Sequence, residues 1–451
     1  MTEQTAPAHP ESGPPPITRE IDLSPVQRTT VRKSVMGAMA GNAIEWFDYG
    51  IYGYLAVHLS TQIFGGSEDA ILWTLFGFAV SFLVRPLGGA ILGPLGDRIG
   101  RQKVLVFTIM MISVATAAIG LLPTFEQVGW LAPVLLFLLR IVQGFSAGGE
   151  YAGAAVYMAE HAPDDRRGFW GSFLEFGTLL GFSLAAILVT ALEAIVGSDG
   201  MEAGWWRLPF LLTLPLGLIA LAMRARLHES AVFEEAKEQD TRTSAWQTLR
   251  DLVTQQPKQL LKIMGITILI NTAFYLVLTY MPTFLQTSLD MDGTQAGLML
   301  VGVQLVMMAV IIPMGALTDR IGRRPLLLTA AIGFTLFSVP AVMLLCNISA
   351  SLPALFPTTV RYAGFALGYN VATSLLGGPA GLINEALIEQ TGSTLVPGFY
   401  MTVAGIVGLL AILTFNETAG RSLRGDRVPG DDDQDRLAIG EALIGKVAKD
   451  R

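Results

Sequence analysis

The chain is nearly devoid of cysteine and poor in charge. Cys346 stands alone among 451 residues, which excludes an internal disulfide and any cysteine-built metal site. Four histidines occur, His9, His58, His161 and His228; they lack metal-ligand spacing, and each reads as a surface or interface residue. No phosphate loop, no basic cluster suited to nucleic acid and no nucleophile–base constellation is present. Those gaps set aside an ATPase, a nucleic-acid binder and an enzyme, and no cofactor or obligate protein partner is expected. Charged residues make up 15% of the chain, against about a quarter in soluble domains.

What is abundant is apolar sequence. Hydrophobic residues reach 52% and the mean hydropathy is +0.52, so a polytopic protein with the lipid bilayer as partner is the default. The net charge of −7 lies mostly in tails and loops and says little about partners. Membrane-length stretches lie near 35–59, 70–95, 104–122, 131–157, 170–196 and 207–224. A second set lies near 259–285, 295–317, 326–346, 362–388 and 397–415. The expected organisation is a disordered cytoplasmic tail (1–34), a six-helix bundle (35–224), a cytoplasmic linker (225–258), a second bundle (259–415) and a C-terminal tail (416–451). No cleavable signal precedes the first span, which is expected to serve as an uncleaved anchor.

Basic residues set orientation through short loops. Arg28, Arg32 and Lys33, then Arg98, Arg101 and Lys103, then Arg166 and Arg167 fall on alternate sides of the spans. The intervening loops carry Glu68, Asp69, Glu126, Asp199 and Glu202. The N-terminus is therefore expected in the cytoplasm, with Trp130, Trp205 and Trp206 in an outer aromatic belt.

One motif occurs twice. GPLGDRIGRQK (93–103) returns as GALTDRIGRRP (315–325). Gly93, Asp97, Arg98, Gly100 and Arg101 recur as Gly315, Asp319, Arg320, Gly322 and Arg323, an offset of 222. A charged, glycine-rich turn set twice between spans marks two related membrane halves, the plan of secondary transporters. The halves differ in length. Gly93 precedes Pro163 by 70 residues, whereas Gly315 precedes Pro357 by 42. The deficit of about one span and a turn predicts eleven spans. Either 326–356 crosses once and inverts the later spans, the alternative slightly favoured, or it returns as a re-entrant hairpin.

The repeat, together with GNAIEWFDYGIYG (41–53), VRPLGG (84–89), RIVQGFSAGGEY (140–151), WWRLPF (205–210), TYMPTF (279–284), LPALFPTTVRY (352–362) and NETAGRSL (416–423), resembles the major facilitator superfamily. Within it the chain is most similar to the metabolite:proton symporters of the proline/betaine kind, from about residue 33 to 425. The resemblance implies an all-α membrane protein of the inner (plasma) membrane, two pseudo-symmetric bundles, and symport of a small solute with protons by alternating access. Against the usual twelve spans, the tenth is missing. The short acidic C-terminal segment also lacks the long coiled coil of osmosensing members, so regulation through one is not expected. Organic-acid:proton symport is the alternative, and a membrane protein that binds without transporting is another.

Ionisable groups inside spans are functional candidates by default. Glu45 and Asp48, spaced i, i+3, share one helix face; their repulsion raises the proton affinity of one, as proton coupling requires. Pairing with Arg85 or Arg140 as fixed ion pairs is the plainer alternative. Arg140, Gln143, Gly144 and Ala147 match the fourth-span motif that the superfamily links to proton transfer, and Glu150 is a candidate cytoplasmic relay. For a zwitterionic solute, Trp46, Tyr49, Phe274 and Tyr275 offer ring faces to a cation. Asn42, Gln143, Asn271 and Asn370 offer hydrogen bonds, and Arg85 or Arg140 a site for a carboxylate. The resemblance makes the two repeat copies an inter-half latch at the inner gate; a topology-setting basic turn is the simpler role.

Overall fold

A computed structural model of the chain describes residues 19–99, 101–148, 154–155, 158–159, 162–224, 250, 253–333 and 361–415. Among these residues the structure is entirely helical. Helix α1 spans Pro25–Tyr54, α2 Ala56–Phe64, α3 Ala70–Ile99 and α4 Arg101–Gly120. After the short α5 (Phe125–Val128) come α6 (Leu131–Ala147), α7 (Arg167–Gly200) and α8 (Arg207–Arg224). The second half holds α9 (Pro257–Tyr275), α10 (Met281–Thr287), α11 (Gly293–Ile321), α12 (323–333), α13 (Arg361–Ala372), α14 (Ala380–Thr391) and α15 (Val396–Leu413). Two π-helical turns, Leu276–Tyr280 and Thr373–Gly377, interrupt the second half at α9–α10 and α13–α14. Six helical stretches among the described residues are long and apolar enough to cross a membrane.

Helix α1 begins ten residues before the end of the expected disordered tail, because its start is chemically specified. Pro25 occupies the first turn, Ser24 accepts from the Gln27 N–H, and the Gln27 side chain accepts from the Ser24 N–H. This reciprocal box satisfies two orphan donors. The segment just before it is also docked: Glu20 receives Arg166 at 2.9 Å, and its N–H donates to Asp165.

In the first bundle α1 packs on α7, α3 on α6 and α4 on α8. In the second, α9 packs on α15 and α13. The bundles meet along two seams, α7 with α11 and α3 with α13. Neighbouring residues give the helix directions. Gly177 and Gly181 face Met39 and Ala43, so α7 runs parallel to α1. Gly315 meets Gly168 and Gly297 meets Thr190, so α11 runs antiparallel to α7. Gly368 meets Ile263 and Gly377 meets Asn271, so α13 runs parallel to α9, while Gly265 against Ala411 sets α15 antiparallel. Arg324 donates to the Leu413 carbonyl at 3.2 Å, placing the start of α12 beside the end of α15. The starts of α1, α7, α9, α12 and α13 and the ends of α11 and α15 therefore share one face.

The expected loss of a tenth helix falls on 334–360, outside the described residues, as does most of the expected linker and the whole C-terminal tail. The belt reading needs one correction. Trp130 and Trp205 are exposed, but Trp206 is fully buried, packing on Phe210 with the Arg207 guanidinium 4.3 Å from its ring centre. Tandem tryptophans on a helical turn point in different directions, so only one of the pair reaches the surface.

Candidate functional site

Helix α1 brings Asn42, Glu45, Trp46, Asp48 and Tyr49 into the interior on successive turns. Glu45 and Asp48 are each 5% exposed. They line one narrow cleft with Ile109, Ile112 and Ser113 of α4 and Thr213 of α8. The shared face expected from their spacing is present.

Two buried arginines sit on helices pressed tightly together. Built onto Gly144, a Cβ would stand 2.6 Å from the Ser81 carbonyl carbon; built onto Gly148, it would stand 2.7 Å from the Gly89 nitrogen. Only glycine lets α3 and α6 come this close. That contact carries Arg85 (α3) and Arg140 (α6) side by side into the core, where both are essentially inaccessible to solvent.

Arg140 is fully engaged. Its Nε donates to the Gly77 carbonyl (3.2 Å), Nη1 to Gln143 Oε1 (2.9 Å) and Nη2 to Ser81 Oγ (3.0 Å). Gln143 Nε2 donates to Thr116 Oγ1 at 2.5 Å, and the Thr116 hydroxyl donates to Asp48. A continuous polar chain thus runs from Arg140 through Gln143 and Thr116 to Asp48. The guanidinium also lies over Tyr52, 4.1 Å from the ring centre.

Arg85 differs. None of its three guanidinium nitrogens has a hydrogen-bond partner among the described residues. Its charge rests instead on ring faces, 4.3 Å from the centre of Phe82, 4.7 Å from Tyr49 and 5.8 Å from Trp46. Cation–π contact of this kind contributes roughly 0.5–2 kcal/mol per ring when desolvated. It does not use the planar N–H donors, which remain directed to take an acceptor.

The rings form one cluster that crosses between the bundles. Trp46 meets Phe182 and Phe274 at 5.6 Å and Tyr275 at 6.0 Å, and Phe82 meets Tyr275 at 4.8 Å. Asn42 orients Trp46 by accepting its indole N–H at 3.0 Å, while its own amide donates to the Leu174 carbonyl and Thr178. Asn271 donates to Thr373 beside the cluster. Asn370 donates to the Gly148 carbonyl at 2.6 Å across the α3/α6–α13 seam. Glu150 and Gly100 lie outside the described residues, and so do the side chains of Asp97, Arg98 and Arg101 and the surroundings of Gly93.

The second repeat copy is described. Asp319 accepts from the Gly168 N–H at 2.7 Å and the Phe169 N–H at 2.8 Å, closing the first turn of α7 from the opposite bundle. A carboxylate there satisfies orphan donors and opposes the positive end of the helix. Gly315 permits the approach, since a Cβ on it would lie 2.6 Å from the Ser172 side chain. Arg323 is buried one turn beyond, and Arg320 is exposed. Gly322, with φ of +92°, ends α11.

Sequence reasoning passed over Ser81, Phe82, Thr116 and Phe182, as well as a buried pair in the second bundle, Tyr280 donating to Glu385 at 2.6 Å. Phe82 was findable, one helical turn before Arg85. Thr116 sits in an otherwise apolar stretch and gains its role only from the approach of α4 to α1.

Two helical bundles with charges buried between apolar, membrane-length helices define a secondary transporter rather than an enzyme. The chain belongs to the Major Facilitator Superfamily, whose model matches residues 38–412. It is 37% identical over 436 residues to the glycine betaine/proline/ectoine/pipecolic acid transporter OusA of Dickeya dadantii, covering 90% of this chain and 87% of that protein. It is 39% identical to the ectoine/proline transporter ProP of Corynebacterium glutamicum, covering 90% and 88%. With the proline/betaine transporter of Escherichia coli (strain K12) it shares 35% identity, covering 94% and 91%. Among solved structures, the proton:xylose symporter XylE bound to 6-bromo-6-deoxy-D-glucose superposes with a TM-score of 0.70 at 18% identity, covering 88% of this chain and 98% of that one. The last likeness establishes the fold.

Proposed function

We propose that the protein is a proton-coupled symporter of a small zwitterionic osmolyte, glycine betaine or proline, working by alternating access in the inner (plasma) membrane. The observation that carries this reading is Arg85, a buried guanidinium with unsatisfied N–H donors set among aromatic faces. Those donors take the solute carboxylate as a bidentate pair. Trp46, Tyr49, Phe274 and Tyr275 receive the quaternary or secondary ammonium, and Asn42 and Asn271 hold the walls of the site. The named specificities of the relatives agree with this division.

Glu45, Asp48 and Arg140 form the proton-coupling group, with Gln143 and Thr116 relaying between the last two. Glu150 completes it at the cytoplasmic side. The contact of Asp319 with α7 serves as the latch at the inner gate, and the repeat assigns Asp97 the matching role. The face at which α1 begins is cytoplasmic. Since α12 and α13 start at that face and α11 and α15 end there, the end of α15 is cytoplasmic in this reading too.

Organic-acid symport fits less well. A di- or tricarboxylate needs further cations, and each nitrogen of Arg140 already donates within the protein. Uptake of labelled glycine betaine into proteoliposomes of the purified protein tests the reading. Accumulation under an inward proton gradient, abolished by an uncoupler, is expected. Failure with glycine betaine, proline and organic acids in folded protein leaves the non-transporting alternative.

A further inference from the structure

We infer that Glu193 is the outer-gate counterpart of Asp319, a second carboxylate latch that joins the two bundles at the opposite face. The inference rests on the alternating-access reading above and deepens it by naming a residue that governs the outer gate.

Helices α7 and α11 lie antiparallel across the seam, so the start of each meets the late turns of the other. At one end Asp319, late in α11, accepts from the Gly168 and Phe169 N–H groups at the start of α7. At the other end Glu193, late in α7, lies against Gly293, the first residue of α11. A Cβ built on Gly293 would stand 2.8 Å from Glu193 Oε2, so a side chain there would displace the carboxylate. The register is continuous between the two ends, with Gly315 against Ser172 and Gly297 against Thr190. Glu193 follows Gly168 by 25 residues, and Asp319 follows Gly293 by 26. Matched spacing of this kind sets a carboxylate on the opposite bundle's helix start at both ends at once.

The chemistry suits a contact that must break. Glu193 is buried, and a buried carboxylate is costly unless its charge is compensated. The positive end of α11 supplies one compensation. The His58 imidazole of α2 stands on the other side, its Nε2 3.7 Å from Glu193 Oε1. Asp292 caps the Gln295 N–H at 3.1 Å, so the start of α11 stays formed without Glu193. As the gate opens, water replaces α11 around the carboxylate, while His58 stays beside it because both belong to the first bundle. Each latch favours the states in which its own face is shut. Weakening one therefore opens its own face more often and the other face less often.

The test is hydrogen–deuterium exchange on the full chain purified in detergent, without solute. It reads Gly297–Leu300 of α11 and Gly168–Phe169 of α7. Glu193→Gln is expected to speed exchange at the α11 site about two- to fivefold and to slow it at the α7 site. Asp319→Asn is expected to do the reverse. Gly293→Ala, which displaces the carboxylate while Glu193 is kept, is expected to match Glu193→Gln. Alanine favours a helix more than glycine does, so a purely local effect of that change would slow exchange in α11. Opposite shifts at the two ends support the latch. Faster exchange at both ends in Glu193→Gln, no change at either end, or slower exchange in α11 of Gly293→Ala overturns it. These readouts need no solute, so failure of the latch and failure of the uptake assay are told apart.

Discussion

Asp319 on α11 holds the backbone N–H of Gly168 on α7 at 2.7 Å, so one repeat copy is fastened to a helix of the other bundle rather than to its own. On the proposed latch role, closing the gate at this face forms that bond and opening it breaks it. Asp319→Asn keeps the shape, removes the charge, and leaves one oxygen to accept where two do now. Helix capping and dipole terms of this size are about 1 kcal/mol, a factor of about five in the balance between states. Uptake by the variant should slow severalfold, and the amide hydrogens of Gly168 and Phe169 should exchange faster with deuterium. Unchanged values in both would confine Asp319 to setting topology.

Arg85→Lys retains a positive charge but loses the planar pair of donors and much of the stacking on Phe82 and Tyr49. Glycine betaine affinity should drop ten- to a hundredfold, while the circular dichroism and melting temperature stay near wild type. Wild-type affinity in this variant would remove the carboxylate from Arg85.

Thr116→Val is close to isosteric and deletes the hydroxyl joining Gln143 to Asp48. Uptake driven by a proton gradient should fall about tenfold, as expected for loss of a positioned proton-transfer link, with equilibrium betaine binding changed less than threefold. A parallel fall in binding would make Thr116 a structural residue alone.

Gly144→Ala drives a methyl group into the Ser81 backbone. Overpacking of this kind costs about 1–3 kcal/mol, and the change separates the helices that bear Arg85 and Arg140. Thermal unfolding in detergent should move down by several degrees, with loss of uptake. An unshifted melting curve would show that α3 and α6 have room the close approach denies.

Features repeated in the chain or fixed by helical spacing were legible in the sequence. The i, i+3 spacing put Glu45 and Asp48 on one face, and the duplicated turn announced two halves. Features made by tertiary approach were not. Phe182 joins Trp46 only because glycines let α7 lie close along α1, and nothing local to residue 182 states this. Asn370 read as a solute ligand because it is polar and mid-span; its bond to the Gly148 carbonyl across the seam could not be read from the sequence. The π-turns at Leu276–Tyr280 and Thr373–Gly377 were equally hidden, since one extra residue per turn leaves no compositional mark.

Glu45, Asp48, Arg85 and Arg140 all belong to the first bundle, whereas Phe274, Tyr275 and Asn271 belong to the second. On the proposed roles, the coupling charges are confined to one half of the chain, whereas the solute site is shared, with Arg85, Trp46 and Tyr49 from the first bundle facing Phe274 and Tyr275 from the second. Selection can remodel the second wall for proline, ectoine or another solute without disturbing the charges that tie transport to the proton.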